Sequence, residues 1–348
     1  VWSRPGRYGL LLPAEADDKP ARVWVDGRLL SERSGEPVWG AAAEPWIGRN
    51  RPFGTADIDH DGRPEVLAAG RDGRSLIGLA CHDPGLLFLA PVRGVRDLSV
   101  SPSGRVTAVI EPGQSVALIN DSGRLLWRKG FGSVLRDVVT PGDLEGDGRE
   151  DVLVVGKTFV MALSGVDGRT LWEHRGRVSG VASTAEDADG DGRPDVLTSG
   201  PSLLLSGSNG APIVALDAKS PRGGPEAFMP SIHSGAEPRF LAQTAEPGIA
   251  LFSRAGRRLS GLRRSFDLAA PIAEDPTRAP VLVLARGDTV SAVDLGDGVA
   301  RWTARTSGSV EQLLVLQDES MGRNLVAFKP RLGLVEVRVA VVLVRDGG

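Results

Sequence analysis

The chain has 348 residues, of which 45 are glycine and 24 proline, and aromatic residues make up only 5%. The formal charge of −3 offers no general attraction for nucleic acid. Cys81, the one cysteine, excludes an internal disulfide framework, and the longest apolar run, Val339 to Val344, is far too short to span a membrane. The chain begins at Val1 without a signal-peptide pattern, which reads as a mature or excised segment. Abundant glycine and proline between short apolar runs point to many strands and many turns.

Taken in order, the chain repeats itself. Aligned on one loop position, it shows Lys19, Gly62, Gly104, Gly148, Gly192, Ala236, Thr277 and Gly322, in steps of 41 to 45 residues. Each unit reads as a strand, a loop, a second strand, a third strand, a tight turn and a fourth strand. Four short strands per repeat of this length is the pattern of a propeller blade. The spacing predicts a single all-β propeller over residues 1–348, with eight blades at 8–43, 52–91, 95–130, 135–175, 178–217, 226–264, 266–305 and 310–346. Seven blades, with the end units merged, is the alternative. The eight-unit register leaves no strand to exchange between the ends, so the first blade is expected to pack directly on the last.

The first unit ends on a short turn, Ser31 to Trp39. The second carries Asp57, Asp59 and Asp61, then Gly62, Arg63 and Glu65, ahead of the apolar run Val66 to Gly70. The third keeps the loop length but replaces its carboxylates with Ser99, Ser101, Ser103 and Thr107. The fourth repeats the acidic pattern as Asp143, Glu145, Asp147, Gly148, Arg149 and Asp151, and the fifth as Asp187, Asp189, Asp191, Gly192, Arg193 and Asp195. Units six to eight lose it. The turn before the fourth strand has its own signature, seen at Ala117 to Trp127, Ala162 to Trp172 and Ala292 to Trp302. Aspartate or serine before glycine makes the hairpin turn, and the tryptophan that follows is placed to dock on a neighbouring blade.

Oxygen ligands on alternate residues of a tightly curled loop suit a hard cation, and a glycine at the sixth position supplies the sharp turn. The loops are expected to hold three Ca2+ ions, in units two, four and five, through four carboxylates and the carbonyl of Arg63, Arg149 or Arg193 in each. An affinity of about 10⁻⁵ to 10⁻³ M fits loops without the bidentate glutamate of an EF-hand. Metal-free, such carboxylates repel one another, so the ion's expected role is structural.

The run from Pro52 to Gly70 resembles an FG-GAP (VCBS-type) repeat of the integrin-α propeller kind, and that resemblance implies a Ca2+ loop between the first two strands of a blade. The tryptophan turns resemble the docking motif of quinoprotein, or PQQ-like, propellers, which usually have eight blades. A quinone-dependent enzyme is therefore an alternative. Those dehydrogenases typically carry a vicinal cysteine pair, which Cys81 alone cannot form.

Other catalytic patterns are weak. Gly156-Lys157-Thr158 lacks the earlier glycine of a phosphate loop, since Asp151 stands there. His60, His82, His174 and His233 fall one to a unit. The expected function is a non-enzymatic, Ca2+-stabilised scaffold for a protein or glycan ligand, with neither nucleic acid nor a membrane span in this segment. An extracellular, cell-surface or periplasmic setting suits the weak ion affinity. A ligand-sensing ectodomain of a membrane receptor is a further alternative. Arg254, Arg257, Arg258, Arg263 and Arg264 remain, five arginines in eleven residues that read as a solvated outer strand or a site for an anionic partner.

Overall fold

The computed structural model describes residues 9–12, 22–25, 28–31, 36–39, 47–62, 65–80, 85–176, 178, 180–185, 187–199, 203–215, 239–243, 248–253, 255, 257–272, 281–306, 309–318, 323–330 and 338–342. Among them every element is a β-strand, and no helix is long and apolar enough to cross a membrane.

The described strands form eight antiparallel sheets, each paired in chain order. The first holds β1 (Gly9–Leu12), β2 (Arg22–Val25), β3 (Arg28–Ser31) and β4 (Pro37–Trp39). The second holds β5 (Ile47–Ala56), β6 (Glu65–Gly70), β7 (Ser75–Leu79) and β8 (Leu86–Pro91). The third holds β9 (Asp97–Val100), β10 (Val106–Glu111), β11 (Ser115–Asn120) and β12 (Leu125–Gly130). The fourth holds β13 (Leu135–Gly142), β14 (Asp151–Gly156), β15 (Phe159–Leu163) and β16 (Thr170–Arg175). The fifth holds β17 (Gly180–Ala185), β18 (Asp195–Ser199), β19 (Leu203–Leu205) and β20 (Pro212–Ala215). The sixth holds β21 (Arg239–Gln243), β22 (Ile249–Ser253) and β23 (Arg258–Leu262). The seventh holds β24 (Leu268–Ile272), β25 (Val281–Arg286), β26 (Thr289–Asp294) and β27 (Ala300–Arg305), and the eighth β28 (Val310–Asp318), β29 (Arg323–Pro330) and β30 (Arg338–Val342).

The sheets are arranged as blades. The first strand of one sheet lies against the first strand of the next, as β5 does on β9, β9 on β13, β13 on β17 and β24 on β28. β1 touches both β5 and β28, so the first and last sheets adjoin. The core therefore lies between sheets. Trp127, Leu118 and Val116 of the third pack on Leu135, Val152 and Val154 of the fourth. Trp172 and Val160 of the fourth pack on Val196 and Leu205 of the fifth.

This layering explains the sequence patterns. A middle strand has a neighbouring sheet on each face, so β6 and β14 are buried at every residue and apolar after their first, Glu65 and Asp151. An outer strand covers one face only, and in β8 only Phe88 and Ala90 are buried. Burying one such leucine or valine is worth roughly 1.5–3 kcal/mol.

One irregularity recurs. Between the last two described strands the register slips in sheets one to seven, skipping Val38, Leu87, Leu126, Leu171, Ile213, Leu259 and Arg301. A bulge there turns the open outer edge away from further strand pairing. Of the skipped residues, Leu87, Leu126 and Leu259 are exposed, while Leu171 and Ile213 are half-buried against the core.

Candidate metal loops and the tryptophan docking site

Each acidic loop joins the first strand of a sheet to the second and is built around its first aspartate. Asp187 Oδ1 accepts the Gly190 and Asp191 N–H groups, and Oδ2 accepts Gly192 N–H at 2.8 Å. Asp143 accepts Gly146, Asp147 and Gly148 in the same way. In the second sheet Asp57 Oδ2 accepts Gly62 N–H at 3.0 Å. Gly62, Gly148 and Gly192 have φ of 84°, 81° and 83°, and a Cβ on any of them would meet nothing within 4 Å. Glycine is therefore needed here for its left-handed backbone, not for space.

The carboxylates gather in two loops. Asp57, Asp59 and Asp61 each offer an oxygen within 4.8 Å of the others, as do Asp187, Asp189 and Asp195. Asp57 Oδ1 and Glu65 Oε1 are buried without a hydrogen-bond partner among the described residues, although Glu65 Oε2 accepts Ile58 N–H at 2.7 Å. Burial pushes the Glu65 carboxyl up to about 7, against the pull of that N–H, and the charges of Asp59 and Asp61 add to the rise. Unpaired buried carboxylate oxygen beside further carboxylates is the donor set a divalent cation satisfies. The loop of the fourth sheet differs. Glu145 is turned to Arg169, whose Nη2 pairs with its Oε2, while Glu145 Oε1 is buried without a hydrogen-bond partner among the described residues.

The ninth loop position does more than line the loop. Asp195 is fully buried; its Oδ2 accepts Ala188 N–H at 2.6 Å and its Oδ1 accepts Gly207 N–H at 2.9 Å. Gly207 lies in the turn before the fourth strand, and its carbonyl accepts the indole N–H of Trp172 from the preceding sheet at 2.6 Å. The same relay recurs one sheet earlier. Trp127 Nε1 donates to the Gly165 carbonyl at 3.0 Å, Gly165 N–H to Asp151 Oδ1 at 2.9 Å, and Leu144 N–H to Asp151 Oδ2 at 2.7 Å. Burial pushes Asp151 and Asp195 up to about 6 despite these donors. Gly165 and Gly207 are glycines for lack of room, since a Cβ would strike the carbonyl oxygens of Glu150 and Pro194. Trp127 and Trp172 are buried, at 9% and 7% exposure. Trp127 packs flat against Gly168, 3.0 Å from where a Cβ would stand, and Trp172 packs likewise on Gly210.

Further contacts tie neighbouring loops together. Arg193 Nη1 donates to the Leu144 carbonyl at 2.7 Å, so an arginine of the fifth sheet caps the loop of the fourth. Ser103 donates from Oγ to Glu150 Oε2 at 2.7 Å and from N–H to Oε1 at 3.2 Å, joining the loops of sheets three and four. His60 Nε2 lies 3.6 Å from Asp121 Oδ2.

The carboxylates that meet here are legible in the sequence, and the relay is not. Asp151 and Asp195 were expected as ion ligands, and their oxygens are engaged with backbone N–H groups. The Arg63 carbonyl and the side chain of Trp39 lie outside the described residues. Trp302 is half-buried, and its Nε1 has no hydrogen-bond partner among the described residues. Phe88 was missed as a docking ring: it packs on Gly123 of the third sheet as the tryptophans do on Gly168 and Gly210. The signal was present as an aromatic residue at the matching place in its fourth strand, paired across to Gly78.

A family model described as outer membrane protein assembly factor BamB matches residues 25–227. Among solved structures, BamB from Moraxella catarrhalis is similar with a TM-score of 0.57 at 14% identity, over 96% of this chain and 99% of that one. The computationally designed protein Ika8 gives 0.61 at 13% identity, over 96% and 98%. BBS1N, solved in complex with ARL6DN, gives 0.53 at 13% identity, over 86% and 94%. No curated protein matches the sequence. Identities this low carry the fold alone.

Proposed function

The chain belongs to the PQQ-like propeller family of the outer membrane protein assembly factor BamB, and from that premise we propose that it is a non-enzymatic scaffold holding protein components of outer-membrane assembly on the periplasmic side. The observation that carries this reading is the tryptophan–glycine–aspartate relay between sheets. It ties the third sheet to the fourth and the fourth to the fifth through buried groups, which suits a rigid docking frame. In this reading the ring has eight blades, one to a sheet, closed where β1 meets β28.

A photo-crosslinking residue at the exposed positions Val166 and Val299 tests the scaffold. Crosslinks to envelope proteins that fractionate with the outer membrane are expected. Folded protein that captures no protein from either position, or captures only glycan, would sink the reading.

The acidic loops are the second part of the proposal. Ca2+ held in the FG-GAP manner by Asp57, Asp59, Asp61 and Glu65, and by Asp187, Asp189, Asp191 and Asp195, would neutralise carboxylates that otherwise crowd one another. The loop of Asp143, Glu145, Asp147 and Asp151 takes its ion last, because Glu145 must first leave Arg169. Isothermal calorimetry on chelator-stripped protein should record three uptake events at up to millimolar Ca2+, two of them before the third. Asp191→Ala should abolish one and spare the others, since the loops sit in different sheets. At about 100-fold excess over the dissociation constant one ion adds roughly 2.7 kcal/mol to stability. Absence of any uptake would leave the loops as self-capped turns.

A further inference from the structure

Antiparallel pairing in chain order sorts the connections to two ends of the blades. Loops joining first to second strands and turns before fourth strands lie at one end. Hairpins joining second to third strands and links between sheets lie at the other. In sheets two to four the ends differ in charge. Among the described residues of the first end, loops 57–62, 101–105 and 143–150 and turns 120–124 and 164–169 hold nine carboxylates and four arginines. At the second end, segments 71–74, 92–96, 112–114, 131–134 and 157–158 hold Arg71, Arg74, Arg93, Arg96 and Lys157 against Asp72 alone. Asp72 is taken up by its own turn, where its Oδ1 accepts Arg74 N–H at 2.9 Å and the Ser75 hydroxyl at 2.7 Å. Asp97 and Asp137, which open β9 and β13 beside these segments, are half-buried, and each accepts the next residue's N–H.

The basic end is continuous. Val92 N–H donates to the Arg74 carbonyl at 2.9 Å, which seats the link 92–96 on the hairpin 71–74. Gly94, at φ 122°, lets them close up: a Cβ there would stand 3.0 Å from Pro112 Cγ and 3.4 Å from the Gly73 carbonyl oxygen. Arg71, Arg74, Arg93 and Arg96 are exposed round this contact, and none of their guanidinium groups has an ion-pair or hydrogen-bond partner among the described residues. On the other side of the 112–114 hairpin, Phe131 N–H donates to the Gln114 carbonyl at 2.8 Å. The half-buried rings of Phe131 and Phe159 stack there with centroids 6.5 Å apart. Val134 is 52% exposed, and Lys157 is exposed two residues before Phe159.

We infer that this end of sheets two to four docks on an anionic lipid bilayer, with its arginines on headgroup phosphates and Phe131, Val134 and Phe159 at the acyl boundary. A guanidinium fork matches phosphate oxygens. Each basic side chain near an anionic bilayer adds roughly fivefold in affinity, and aromatic and branched apolar side chains settle at headgroup level. The charge difference selects this end, since the carboxylates of the opposite end would be repelled. Basic and apolar groups spread over the turns of three successive sheets suit a plane. An acidic peptide would use the arginines and leave Val134 and the two rings without a role. The inference does not rest on the scaffold reading, and it leaves Val166 and Val299, in turns of the opposite end, facing away from lipid.

Vesicle flotation in chelator tests it, with phosphatidylethanolamine vesicles carrying phosphatidylglycerol and with neutral phosphatidylcholine vesicles. The anionic vesicles should float the purified protein and the neutral ones should not, and added salt should weaken the binding. R71Q/R74Q and R93Q/R96Q should each weaken it at least about tenfold, while R105Q/R124Q, the same change of charge at the opposite end, should leave it within about twofold. V134D should weaken it at least about fivefold. All these side chains are exposed, so the variants should keep the parent melting temperature. Equal flotation with neutral vesicles overturns the inference, as does binding indifferent to V134D or to both arginine pairs. A loss from R105Q/R124Q as large as from the other pairs does the same, since net charge alone would then be acting. So does a glutamate-rich peptide that displaces the vesicles and binds V134D as well as the parent, which would make the surface a peptide site. Crosslinking at Val166 and Val299 is read independently, so either proposal can fail alone.

Discussion

Replacing Trp172 with alanine should lower unfolding stability by about 3–5 kcal/mol, the usual loss for a buried aromatic. Three losses combine. The ring leaves a cavity beside Val196 and Leu205, its flat contact with Gly210 disappears, and the buried Gly207 carbonyl loses the indole N–H. Phenylalanine at the same position keeps most of the packing and loses the hydrogen bond, so it should cost less, about 1–3 kcal/mol for a buried acceptor left unpaired. Asp195→Ala leaves the N–H groups of Ala188 and Gly207 without an acceptor. Because Trp172 and Asp195 both act on Gly207, their effects should not add. A double-mutant cycle from urea titrations should show a coupling of roughly 0.5–3 kcal/mol. Simple additivity would mean that the relay is a geometric coincidence, and a Trp172→Ala cost below about 1 kcal/mol would place the ring outside the packed interface.

That relay also marks where the sequence stops being legible. Trp127 and Trp172 could be read because each follows its turn glycine at a constant distance, and a repeated large ring needs a repeated burial. Their contacts lie 38 and 35 residues away, on the carbonyls of Gly165 and Gly207. Nothing in a turn sequence states which backbone atom a neighbouring sheet will present. The aspartates at the ninth loop position were readable as carboxylate oxygens; that they are buried and accept N–H groups from two segments follows only from the packed sheets. The all-β class was legible from apolar runs such as those of β6 and β14, buried throughout. The bulge was not, since Leu87, Leu126 and Leu259 look like ordinary core leucines and yet stand exposed where the register skips them.

Glu111 is the site that sequence patterns hid most completely, and its substitution should be the other large effect. It ends β10, where the corresponding strands of the second and fourth sheets end on Gly70 and Gly156. Those glycines have no room for a side chain, because Ser75 and Phe159 fill the space. In the third sheet Glu111 occupies it, fully buried. Arg128 Nε and Nη2 donate to its two oxygens, each at 2.8 Å, with Ser115 Oγ at 2.9 Å and the Arg93 N–H at 2.9 Å. Burial alone would raise this carboxyl; the guanidinium and the other donors outweigh it and hold Glu111 below the usual carboxylate range. Glu111→Gln removes the charge and leaves Arg128, itself 23% exposed, with only a neutral partner. Breaking a buried pair from one side costs about 3–5 kcal/mol, and the partial exposure of Arg128 places this case at the low end. Replacing both by apolar residues, as in Glu111→Leu with Arg128→Met, should recover most of the loss, because neither a charge nor an acceptor is then stranded. The pH dependence has a definite sign. A folded-state pKa below the unfolded value of about 4.3 means that ionised Glu111 contributes its full stability above that pH. The contribution is lost as pH falls through the folded pKa. Urea midpoints of the parent chain should therefore drop more steeply than those of Glu111→Gln as pH is lowered from about 5, and the two should converge in acid. Parallel curves across that range would show that the Glu111 carboxylate carries no net stability through its charge.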